Sequence, residues 1–181
     1  STTSSGPPLV MRLFTLAHAA WLTNEAATHT AETGIAVAVE TMYPKWVAGR
    51  RLRAYRWLDP DDLFESCHQV AMDTSHVTVA RQDILDVYAR LLPKLIHIHL
   101  SNNAGDGRDG HLELEKGILP LDRFLGEVRE SGYTGAISLE LAVRRYVERP
   151  KDLVATLRRN REYVEQRLAG QRKISKGLPR R

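Results

Sequence analysis

Four short apolar runs in this chain each close on a side chain that seeks metal, and that pattern restricts the fold more than any other feature. IAVAVE ends at Glu40, VAMDTSH carries Asp73 and His76, LIHIHLSNN carries His99, and AISLE ends at Glu140. A short, almost unbroken apolar run reads as a strand buried on both faces, as in a parallel sheet. Carboxylates and imidazoles at the carboxyl ends of such strands stand where barrel enzymes keep their chemistry. A further Asp-x-His, Asp109 and His111, follows the third run on a Gly-rich stretch. It completes a set of hard-oxygen and imidazole donors suited to a divalent cation.

The segments between the runs read as helices. Val10 to about Thr33 places Leu13, Ala17, Ala20, Ala27 and Ala31 at helical spacing, with Gly34 as terminator. Strand one is Ile35 to Thr41. Asp59-Pro60-Asp61-Asp62 opens the next helix with a capping carboxylate and a proline at its first position, and that helix ends near Cys67. Strand two, Gln69 to Asp73, precedes a helix around Asp83 to Leu92 that Pro93 stops; strand three is Leu95 to Leu100. A polar loop gives way to a helix from Leu121 to Glu130, capped by Gly132, then to strand four, Ala136 to Leu141. The last helix runs from Pro150 to Leu168, with Leu153, Val154, Leu157 and Val164 as its core face.

Alternating strands and helices with short connections predict an α/β parallel sheet of the TIM-barrel type, wound by right-handed crossovers. An eight-fold barrel takes about 250 residues. With four strands in 181 residues, the expectation is a partial barrel: one domain over 10–169, a disordered start over 1–9 and a basic, disordered tail over 170–181.

The net charge of +4 raises the question of nucleic acid, and its location answers most of it. The tail alone holds five basic and no acidic side chains, so the body is near neutral. A second cluster, KWVAGRRLRAYRW from Lys45 to Trp57, carries five positive charges. It reads either as a solvated loop or as a clamp for phosphate on a sugar or a nucleic-acid backbone. No apolar run approaches the ~20 residues of a membrane span. The start, STTSSGPP, lacks the parts of a signal peptide, so a cytoplasmic location is the expectation. The single Cys67 fits a reducing compartment and reads as a packing residue.

From about Ala31 to Leu168 the strings VAVETMYP, MDTSHV, IHIHLSNN, DGRDGHLELEKG and GYTGAISLEL resemble the second half of the xylose-isomerase-like barrel superfamily. That superfamily groups sugar and sugar-phosphate isomerases and epimerases with the apurinic-site endonucleases of the second type. The resemblance implies that Glu40, Asp73, His99 and Glu140 are the four ligands of one divalent metal. It implies that His76 contacts substrate or a second metal, and that Asp109 with His111 serves a multi-metal site. Two departures stand out: the usual Gly-x-Gly after the loop histidine is Glu115-Lys116-Gly117, and the first half of the barrel has no counterpart here.

Within a strand alternate side chains share a face, so Ala36, Ala38 and Glu40 point one way, as do His97 with His99 and Ala136 with Ser138 and Glu140. Convergence of these faces on one Mn²⁺, Zn²⁺ or Mg²⁺ ion predicts an isomerase or epimerase acting on a sugar or sugar phosphate. Its proton would move through a metal-stabilised enediolate, with Glu40 or Glu140 as base and His76 donating to a substrate oxygen. Two alternatives stay open. One is an apurinic-site endonuclease or phosphodiesterase, which would need the Asp109 and His111 pair. The other is a non-catalytic half-barrel that needs a partner half or a second copy. Asp73 also has a plainer reading as a turn cap, and Asp109 as part of an ordinary Asp-Gly turn.

Overall fold

A computed structural model of the chain describes residues 9–48, 50–52 and 55–170. Of the expected disordered start over 1–9 all but Leu9, and of the expected basic tail over 170–181 all but Gly170, lie outside the described residues. Helices α1 (Leu9–Asn24) and α2 (Ala26–Thr33) precede strand β1 (Val39–Glu40), and a two-stranded hairpin, β2 (Lys45–Val47) and β3 (Arg50–Leu52), follows it. Then come α3 (Pro60–Ser66), β4 (Val70–Asp73), α4 (Thr74–Val79), α5 (Ile84–Leu91), β5 (Leu95–Leu100), α6 (Leu121–Glu130), β6 (Ala136–Leu139) and α7 (Pro150–Ala169). Strands β1, β4, β5 and β6 form one parallel sheet in that order. It is a partial α/β barrel, open at β1 and β6.

The chain reaches this arrangement because each strand buries one row of side chains under the helices. Val70, Met72, Ile98 and Leu100 are fully buried against Val87, Leu91, Phe124 and Leu125, which form the inner stripes of α5 and α6. Local signals set the helix limits. Asp59 accepts from the Asp61 N–H to start α3, and Asp83 accepts from the Leu85 and Asp86 N–H groups to start α5. Gly34 ends α2 at φ 71°, a left-handed conformation in which its own N–H reaches the Thr30 carbonyl.

The opposite face of the sheet, which in a closed barrel would be its interior, carries the polar side chains. Asp73 pairs in register with His99, and His99 with Ser138. Glu40 lies level with Ala71, two residues short of Asp73, while Glu140 lies two residues past Ser138. This slanted line across the strands is the stagger that a barrel sheet requires, and on a coiled sheet it closes into an arc. On β6 the exposed Ala136 and Ser138 alternate with the half-buried Ile137 and Leu139.

Several expectations need correction. The first helix breaks in two at Glu25, and Ala17, Ala20, Ala27 and Ala31 are exposed while Ala19 and Ala26 are buried. Among the described residues strand one pairs only at Val39 and Glu40, opposite Val70 and Ala71, and Ile35 and Ala36 stay exposed. The basic segment is not an irregular loop but begins as the β2–β3 hairpin, paired Lys45 to Leu52 and Val47 to Arg50. His76 sits on the short helix α4 rather than on a loop. On α7, Val154 and Leu157 face solvent, and the buried stripe is Thr156, Asn160 and Val164. That stripe is partly polar because it meets backbone: the Leu114 N–H donates to Asn160 Oδ1 at 2.7 Å.

Candidate metal centre

Every ligand residue expected from the sequence arrives at the carboxyl edge of the sheet. Glu40 Oε1 lies 2.6 Å from His99 Nδ1 and Glu140 Oε2 lies 3.0 Å from the same nitrogen. Asp73 Oδ2 stands 4.0 Å away from it. One ring nitrogen carries at most one proton, so it cannot satisfy all three carboxylates; a cation at their focus can. Donor atoms of Glu40, Asp73, His99 and Glu140 all lie within 4.8 Å of one another.

Asp73 gives the most direct test of fit. It is fully buried, and its two oxygens have different surroundings. Oδ1 accepts from the His76 N–H at 2.9 Å and caps α4. Oδ2 has no hydrogen-bond partner among the described residues. Leaving a buried carboxylate oxygen unpaired is costly unless a cation or donor meets it. Burial raises the Asp73 carboxyl from 3.8 to about 6, against the opposing pull of His76 and His111. The donor set of two glutamates, an aspartate and an imidazole suits a divalent ion with mixed oxygen and nitrogen preference.

A second cluster adjoins the first through the same oxygen. His111 Nδ1 also lies 4.0 Å from Asp73 Oδ2, and Asp73, His76 and His111 form a second group with donor atoms within 4.8 Å. Asp109 stands beside it, with Oδ2 3.2 Å from His76 Nε2 and 3.1 Å from His111 Nε2. The other His76 nitrogen, Nδ1, lies 2.9 Å from the Thr41 carbonyl oxygen. Such a backbone contact orients an imidazole and fixes its tautomer. Burial alone would depress the His76 imidazole, but the hydrogen bond to Asp109 and the charge of Asp73 prevail and raise it to about 9. Asp109 moves the other way: burial opposes its charge, yet hydrogen bonds from His111, His76 and Ser75 hold it well below the usual carboxylate range.

Other residues around the rim carry no signal in a strand-end pattern. Tyr43 donates its hydroxyl to Asp109 Oδ2 at 3.3 Å, and its ring packs on His76 with centroids 4.9 Å apart. Ser75 donates to Asp109 Oδ1 at 2.7 Å, and Asn103 Nδ2 donates to Ser75 Oγ at 2.8 Å. The Thr41 hydroxyl accepts from the Asp73 N–H. The readable hint was polar residues flanking ligands inside apolar runs: Thr41, Thr74, Ser75, Ser101, Asn102 and Asn103 are all buried. His97 reaches Ser138 Oγ at 2.8 Å and stays outside both clusters. His18 and His68 are exposed, and His29 packs edge-on against Trp21.

The loop that departs from the family pattern keeps what geometry demands. A Cβ at Gly117 would stand 2.1 Å from Asn102 Oδ1 and 2.5 Å from the Asn103 carbonyl oxygen, so the last glycine is obligatory. Glu115 and Lys116, at the two other positions, are exposed.

A parallel α/β sheet with carboxylates and imidazoles gathered at its carboxyl rim defines a partial barrel of the α/β class. The profile of the xylose isomerase-like TIM barrel family matches residues 15–164, and the chain belongs to that family. A crystal structure of a D-tagatose 3-epimerase-like protein superposes with a TM-score of 0.53 at 24% identity, over 84% of this chain and 60% of that one. Uncharacterised proteins of Mycobacterium bovis and Mycobacterium tuberculosis are 34% identical over 71 residues, 39% of this chain and 25% of theirs. The chain thus covers less than two thirds of the length of each of these proteins, and a quarter of the mycobacterial ones.

Proposed function

We propose that this chain forms the metal-binding half of a divalent-cation-dependent isomerase or epimerase acting on a sugar or sugar phosphate. The observation that carries the reading is the buried, partnerless Asp73 Oδ2 at the meeting point of two ligand clusters. Glu40, Asp73, His99 and Glu140 would hold the cation. When bound, Mn²⁺, Zn²⁺ or Mg²⁺ would neutralise charge developing on vicinal substrate oxygens and so acidify the C–H between them. Glu140, with 45% of its side chain exposed, and Glu40 flank His99 and open onto the uncovered face of the sheet. Either can accept the carbon-bound proton, and between them they can move it from one face of a substrate to the other. His76, oriented by the Thr41 carbonyl, would donate to a substrate oxygen.

The open face of β6 makes a partner surface part of the same proposal, either the remaining barrel units or a second copy of the chain. A cytoplasmic setting also belongs to it: Cys67 is a buried free thiol that burial raises to about 11, as suits packing rather than redox chemistry. Among the described residues no helix is long and apolar enough to cross a membrane.

The test is solvent exchange. Incubated in D₂O with Mn²⁺ and a panel of ketoses and their phosphates, the protein should label the carbon next to a carbonyl, and Glu140→Gln should abolish labelling. Metal-loaded protein that labels no member of the panel would refute the reading. A second reading, an apurinic-site endonuclease or phosphodiesterase, is favoured by one observation, the Asp73, His76 and His111 cluster beside Asp109. Cleavage of an abasic duplex, steeply weakened by salt, would support it instead.

A further inference from the structure

His111 holds a backbone conformation that a side chain with a Cβ avoids, φ 39°. Such a residue is strained and persists only where its surroundings over-determine it. Two sets of contacts do so here. The flanking peptides are pinned: the Ala142 N–H donates to the His111 carbonyl at 2.8 Å, and Leu112 exchanges both backbone hydrogen bonds with Asn102. The second set centres on Glu113, which touches neither ligand cluster. Its side chain is only 4% exposed, yet three donors converge on it. The Tyr146 hydroxyl donates to Oε1 at 2.5 Å, Lys116 Nζ to Oε1 at 2.7 Å, and the Arg159 guanidinium to Oε2 at 2.6 Å.

The topology gives that clamp a direction. Ala142 lies two residues beyond Glu140, and Tyr146 lies four further along the same segment. The His111–Ala142 backbone hydrogen bond and the Glu113–Tyr146 side-chain hydrogen bond are therefore two rungs between the loop bearing His111 and the segment bearing Glu140. Arg159 adds an anchor on α7, which also holds the next peptide, Leu114, through Asn160. A carboxylate buried among three charged or hydroxyl donors makes strong, directional bonds, so the rungs resist rotation of the loop.

We propose that Glu113, gripped by Tyr146, Arg159 and Lys116, is a positioning residue that holds His111 in its left-handed conformation and thereby sets the affinity of the Asp73, His76 and His111 cluster for a second divalent cation. The inference rests on the second reading above, a two-cluster reading in which Asp73, His76 and His111 take a cation of their own. Partners that orient a metal ligand typically change metal affinity by about 10- to 100-fold when removed.

The experiment is calorimetric titration with Co²⁺, read together with the cobalt d–d absorption, on the wild type, Glu113→Gln, Tyr146→Phe and a control, Tyr163→Phe. Tyr163 is on α7 too and donates to the carboxylate of Asp122 at 2.7 Å, away from the rim. The wild type should bind two equivalents. Glu113→Gln and Tyr146→Phe should weaken the second by at least tenfold, change its absorption band, and leave the first within about twofold; Tyr163→Phe should leave both alone. Tyr146→Phe removes a single hydroxyl, so it keeps the test open should Glu113→Gln fold poorly. Two equivalents at wild-type affinity in both variants would overturn the positioning role while sparing the two-cluster reading. Equal weakening of both equivalents would also overturn it, since that marks general loosening. A single equivalent in the wild type would remove the two-cluster reading and the inference together, while leaving the one-cation reading in place.

Discussion

Asp73→Asn should make the metal-free protein more stable and the metal-loaded protein less so. Asparagine keeps an acceptor for the His76 N–H, so the cap of α4 survives, and it discards a charge from a fully buried site. The magnitude follows from the carboxyl itself, which burial raises from 3.8 to about 6. At roughly 1.4 kcal/mol per pH unit, keeping it ionised at pH 8 costs the metal-free fold about 3 kcal/mol. The sign sets the pH window. Because the folded value lies above the unfolded one, the wild type is relatively favoured below pH 4, loses that advantage between pH 4 and 6, and carries the full cost above 6. Urea unfolding in a chelator should therefore show no benefit of Asp73→Asn at pH 4 and a gain of about 2–3 kcal/mol at pH 8. Saturating Mn²⁺ should reverse the order, since a cation a thousandfold above its Kd stabilises only a protein that binds it, by about 4 kcal/mol. A variant that is less stable than wild type in chelator at pH 8, with no dependence on pH, would refute the reasoning.

Gly117→Ala should destabilise the chain by about 2 kcal/mol or more, since its Cβ would meet Asn102 and the Asn103 carbonyl; a melting temperature within a degree of wild type would contradict this. Asp83→Ala should cost about 1 kcal/mol in urea unfolding through the lost cap of α5 while leaving cation affinity unchanged. Burial opposes the charge on Glu113, but Lys116, Tyr146 and Arg159 hold its carboxyl down from 4.5 to about 2. The stability this contributes is present above pH 4.5 and lost as pH falls toward 2, so Glu113→Gln should flatten the acid limb of a stability profile measured from pH 5 to 2.

The architecture was readable where pattern and punctuation agreed. Strand β5 and helix α6 have the limits expected from the sequence, because an apolar run after Pro93 and a 3.6-residue stripe before Gly132 leave few alternatives. Helix α4 was missed because its six residues, TSHVTV, are rich in β-branched side chains; burial of Val77 and Val79 and the Asp73 cap outweigh that local preference. The stripe of α7 was misread because a helix that meets backbone amides buries Thr156 and Asn160 in preference to Val154 and Leu157. In the centre, the candidate ligands stood out as polar ends of apolar strands. Tyr43 and Glu113 did not, because each acts through contacts 33 or more residues away in the chain. Such partnerships are set by tertiary packing, and no local spacing records them.

The most direct measurement is the metal content of the purified protein after dialysis against excess Mn²⁺ or Zn²⁺, with His99→Ala and Glu140→Gln alongside. Stoichiometric cation in the wild type, lost from both variants while their circular dichroism stays native, is the result expected. A correctly folded wild type that retains none, and whose melting temperature does not move when millimolar divalent cation is added, would contradict the account.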